Sequence, residues 1–73
     1  MKEHDAAQVW LFDDPATDDR WVVYLVVDIN EFDVVRARVL AANTSTTDTA
    51  YEVGSWFCFQ HGSWVDLNSK RIT

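Results

Sequence analysis

The chain has 73 residues, a net charge of −6 and one cysteine, Cys58, so it makes a single domain (1–73) with no intramolecular disulfide. So short a chain has a small core, and four Trp, four Phe and two Tyr are available to densify it, each large ring burying ~150–250 Å². Nine acids stand against two bases in residues 1–33, and three against four in residues 34–73; the N-terminal half therefore repels phosphate backbones and anionic lipid and attracts basic surfaces.

Residues 1–7 are small and polar and are expected to fray. They hold no apolar run, so no secretory leader is expected, and a cytoplasmic location follows as the default for a single-thiol chain. Gln8 to Phe12 reads as a first strand, closed by Asp13-Asp14-Pro15, where Pro fixes φ for a turn. Asp13 to Arg20 is then an acidic loop. Its paired carboxylates, Asp13-Asp14 and Asp18-Asp19, lack the spaced pattern and distal Glu of a calcium loop.

Trp21 to Ile29 is almost wholly β-branched or aromatic and predicts a strand. Trp21, Val23, Leu25, Val27 and Ile29 are all apolar, and Val22, Tyr24 and Val26 are too. A strand apolar on both faces is expected at the centre of a sheet, covered at least partly on each side. Residues 31–42 admit two readings. As a strand, Val35, Ala37, Val39 and Ala41 face inward and Arg36 and Arg38 outward. As a helix, Asn30 caps it with Asp33 at N3, but Arg36 and Leu40 spoil the apolar stripe. Alternation and the valines favour the strand.

Asn43 to Thr49 is a polar loop, and Ala50 to Phe59 a further strand with Gly54 as a bulge site. His61-Gly62 between apolar runs predicts a tight hairpin joining that strand to Ser63–Leu67. A last short strand is expected near Ile72. In this hairpin Cys58 faces Val65 and Trp56 faces Leu67 on one side, while Phe59 faces Trp64 and Phe57 faces Asp66 on the other. Ser55, Asp66 and Asn68 place Phe57, Phe59 and Trp64 nearer solvent, and Cys58 is then a buried, inert thiol that diverges from His61.

The fold class expected is all-β: a small antiparallel meander of about five strands, rolled into an SH3-like barrel or half-barrel. The alternative is α+β with one helix at 31–42. No metal or cofactor is expected, because His4, His61 and Cys58 show no recurring ligand spacing. With no glycine-rich phosphate loop, paired acid or activated nucleophile, the chain is not expected to be an enzyme.

The expected function is a small acidic protein-interaction module that docks on a basic, nucleic-acid-binding surface of a partner protein. An inhibitor such as a phage anti-defence protein has this size and charge. The partner-binding residues expected are Asp13, Asp14, Asp18 and Asp19 with the aromatic patch Phe57, Phe59 and Trp64. A homodimer sealed by the aromatic hairpin is the alternative. A single-stranded nucleic-acid binder using Phe57, Phe59, Trp64, Arg36 and Arg38 is a weaker third, lacking a basic groove.

Overall fold

A computed structural model describes residues 3–16, 20–43 and 52–73. The strands are β1 (Val9–Asp13), β2 (Trp21–Ile29), β3 (Val34–Asn43), β4 (Trp56–Gln60) and β5 (Ser69–Arg71), with one helical turn, α1 (Trp64–Leu67), between the last two. They form one antiparallel sheet in the order β4-β3-β2-β1-β5. The expected all-β meander is present, and the sheet is not closed into a barrel. The helix considered for 31–42 does not form: β-branched Val34, Val35 and Val39 fit a pleated surface better than a helical turn.

The sheet curls because its two edges are joined by a short connection. β4 lies at one edge and β5 at the other, yet only residues 61–68 link them. That segment crosses the concave side, and Val65 packs there against the buried core. The core comprises Trp10 and Phe12 from β1, Val22, Tyr24 and Val26 from β2, Val35, Ala37 and Val39 from β3, and Phe57 and Phe59 from β4. The inward alternation expected for β3 holds at Val35, Ala37 and Val39. Beyond them the register shifts between Val23 and Tyr24, so Leu40 stands as the extra residue. Ala42, rather than Ala41, then packs against the core.

The β2–β3 turn is built by Asn30. Its Oδ1 accepts the backbone N–H groups of Phe32 at 2.8 Å and Val34 at 3.1 Å. Asp33 takes a left-handed φ of 59°, which Asp tolerates better than most side chains. The Asp33 carbonyl then accepts the His61 N–H at 2.8 Å, tying this turn to the one after β4.

Two expectations fail here. The His61-Gly62 hairpin is absent, because the chain coils after Gly62 into α1 instead of extending. The Asp66 carboxylate accepts the Gly62 N–H at 2.5 Å and the Ser63 carbonyl accepts the Leu67 N–H at 2.9 Å, a local pairing that competes with a strand ladder. Of residues 1–7, where fraying was expected, Met1 and Lys2 lie outside the described residues, but His4 is buried and the Ala7 N–H donates to the Val26 carbonyl at 2.9 Å. Of the strand expected over Ala50–Phe59, residues 50 and 51 lie outside the described residues, as does the loop after Asn43, and Glu52 to Ser55 is not strand.

Candidate functional site

β4 pairs with β3, and this pairing decides which of its aromatic residues are exposed. Phe57 sits opposite Ala37 and Phe59 opposite Val35, so both point inward and are only 6% and 7% exposed. Phe57 and Phe59 are therefore core residues, correcting their assignment to a partner surface. Trp56 and Cys58 share the outer face with Arg38 and Arg36, and both are exposed. Cys58 is thus not the buried thiol expected. The Trp56 ring lies 3.7 Å from the Arg38 guanidinium carbon and 5.0 Å from that of Arg36. Arg36 also grips Asp28 through two hydrogen bonds of 2.7 and 2.5 Å, which hold the Asp28 carboxyl below its ordinary range.

Across the same outer face run Val9 and Leu11 from β1 and Trp21, Val23, Leu25 and Val27 from β2. Leu11, Trp21 and Val23 line a shallow open pocket of about 360 Å³ with Asp13 at its rim. Among the described residues no element lies over this face, since α1 occupies the concave side. Of the expected partner-binding acids, Asp13 is exposed here and Asp14 is half-buried beside Arg20, at 4.0 Å. Asp18 and Asp19 lie outside the described residues. Trp64 is exposed on α1, at the far side of the sheet from this pocket, so the acids and aromatics expected to act together are separated.

The concave side holds a polar cluster with no local signature in the sequence. His4 is stacked on Trp10 with ring centroids 3.8 Å apart, and meets the edges of Phe59 and His61. The arm carrying it is fixed by Gln8, whose Oε1 accepts the Asp5 N–H at 2.9 Å and the Trp10 indole N–H at 3.0 Å. The His4 Nε2 is 2.8 Å from the Tyr24 hydroxyl, and its Nδ1 is 3.6 Å from Asp66 Oδ1. On the other side of Asp66, His61 Nε2 stands 3.9 Å from Oδ2. Burial pushes the Tyr24 hydroxyl far above its ordinary value, and the Asp66 charge adds to this against the opposing hydrogen bond to Ser69. Ser69 in turn donates to the Val65 carbonyl at 2.6 Å.

Sequence alone marks His4 and His61 as potential ligands but sets them aside for want of spacing, and it does not join Asp66 to them, because His4 comes from the opposite end of the chain. One usable signal was present: Ser63-Trp64-Val65-Asp66 has the serine and acid spacing of a helix start. No helix among the described residues is long and apolar enough to cross a membrane. No protein-family model matches the chain, and neither a curated protein nor a solved structure matches it.

Proposed function

We propose that this chain is a small interaction module that docks through its outer sheet face on a basic surface of a partner protein. The observation that carries this reading is the open pocket of Leu11, Trp21 and Val23 with acidic Asp13 on its rim, on a face no described element covers. Leu11, Trp21 and Val23 are each half-buried and together form a partly exposed apolar patch, and contiguous apolar patches on small proteins mark interaction sites. Charge selects the partner's sign. The chain carries −6 overall, and the outer-face cations Arg36 and Arg38 are engaged by Asp28 and Trp56. A basic partner with one protruding apolar side chain fits both features. The same chemistry suits an inhibitor that occupies the basic nucleic-acid site of its target.

The test compares capture by the wild-type chain with capture by Asp13→Lys and Leu11→Ala, each first checked for a native circular dichroism spectrum. A basic protein held by the wild type and lost by both variants, more weakly held at high salt, supports the reading. Equal capture by all three refutes it. A stable dimer at tens of micromolar that Leu11→Ala dissociates refutes it in favour of a second copy on this face. Quenching of Trp fluorescence by single-stranded RNA at low salt refutes it in favour of nucleic acid.

A further inference from the structure

We infer that His4, His61 and Asp66 form a binding site for one divalent transition-metal ion, zinc by the nature of its donors. One imidazole nitrogen from each histidine and a carboxylate oxygen lie within 4.8 Å of one another, without rearrangement of the backbone. Zinc bonds of ~2.0–2.1 Å imply donor separations of roughly 3.3–3.4 Å at tetrahedral angles. His4 Nδ1 lies 3.6 Å from one carboxylate oxygen and His61 Nε2 3.9 Å from the other, and the spread of up to 4.8 Å among the three donors closes by side-chain movement of about an ångström.

The second observation is the carboxylate itself. Asp66 is fully buried, and its Oδ1 has no hydrogen-bond partner. Its Oδ2 takes one neutral N–H, from Gly62. An ionised carboxylate in such a place requires a compensating positive charge.

The Ser69 hydroxyl donates to the Val65 carbonyl, and the Tyr24 hydroxyl lies 2.8 Å from His4 Nε2. The tautomer in which Nε2–H donates to Tyr24 presents Nδ1 toward Asp66 Oδ1, 3.6 Å away, and supplies the outer hydrogen bond of metal-bound histidines, whose second N–H is tied to an acceptor that fixes the ring.

The surroundings fit a structural ion with a limited opening. Trp10 and Phe59 form a dry wall around His4, while the His61 side chain is 12% exposed and provides an entry path and a position for water. The ion joins the N-terminal arm to the turn before α1. A chain of this size with no disulfide gains most from such a staple. The site is on the opposite side of the sheet from Leu11 and Trp21, so it stands or falls independently of the docking reading.

The test uses the untagged full chain, stripped with EDTA and titrated with Zn²⁺, Co²⁺ and Mg²⁺. The expected result is one Zn²⁺ per chain, visible d–d bands from Co²⁺ of low coordination number, a melting temperature raised by zinc, and no response to magnesium. His61→Gln, at the partly exposed ligand, should keep the fold and weaken zinc binding by at least about a hundredfold, and Asp66→Asn should abolish the cobalt bands. Zinc bound equally by the wild type and a folded His61→Gln overturns the inference. So does a stripped protein that takes up no zinc while ¹⁵N shifts report His4 as an imidazolium, which would mean that a proton alone balances Asp66.

Discussion

Replacing Tyr24 by Phe isolates the hydroxyl at the centre of the buried network. The ring stays, with its contacts to Phe57 at 5.1 Å and Phe59 at 5.5 Å between centroids, so no cavity larger than one oxygen is made. The loss is confined to the hydrogen bonds that the hydroxyl shares with His4, at 2.8 Å, and with Ser69. A buried polar group left without its partner costs ~1–3 kcal/mol, while Ser69 keeps its bond to Val65 and suffers less, so the total is about 2 kcal/mol. A domain of this length is stable by roughly 4–11 kcal/mol, of which that is a large share. At about 4–8 °C per kcal/mol for domains this small, the melting temperature should fall by about 8–16 °C. Urea unfolding of the metal-free protein, followed by far-UV circular dichroism, measures the difference at constant m-value. Ser69→Ala and the double variant complete a cycle, and coupling of at least ~0.5 kcal/mol is expected between the two positions. A loss below ~0.5 kcal/mol in Tyr24→Phe would show that His4 does not depend on Tyr24, and the outer hydrogen bond given to His4 would fall with it.

Other perturbations test the remaining assignments. Phe57→Ala should cost ~3–5 kcal/mol, whereas Trp56→Ala on the exposed outer face should cost less than ~1.5 kcal/mol; the reverse order in urea unfolding would restore the opposite face assignment for β4. Asn30→Ala removes two hydrogen bonds from the β2–β3 turn and should destabilise by ~1–2 kcal/mol in the same assay, with Asn30→Asp retaining most of the stability. The Asp28 carboxyl should titrate below its ordinary value of 3.8 by NMR and move back up in Arg36→Ala. Because the folded value is depressed, the pair's contribution is present at neutral pH and lost as the pH falls through that value. Both groups are exposed, so salt should screen the effect and the stability change should be small.

The strands were legible in the sequence wherever a residue's preference is local. β2 runs over the same residues, Trp21 to Ile29, that its β-branched and aromatic run predicts. β3 follows from the alternation of Val35, Ala37 and Val39 with Arg36 and Arg38, because a pleat of period two sends successive side chains to opposite faces whatever lies beyond. The acidity of the N-terminal half needs no structure at all. By contrast, the burial of Phe57 and Phe59 depends on which strand lies beside β4. Both of its faces are apolar, so periodicity leaves the choice open, and pairing with β3 makes it through Arg36 and Arg38. Ser63 to Leu67 has an apolar pattern short enough for a strand or a turn of helix, and a part-buried hydrogen bond from Gly62 to Asp66 decides between them. His4, His61 and Asp66 come together only because the sheet curls until its edges are bridged by a few residues. Composition and alternation act through neighbours in the chain; faces, edges and polar clusters are set by contacts between distant segments, which only the tertiary structure supplies.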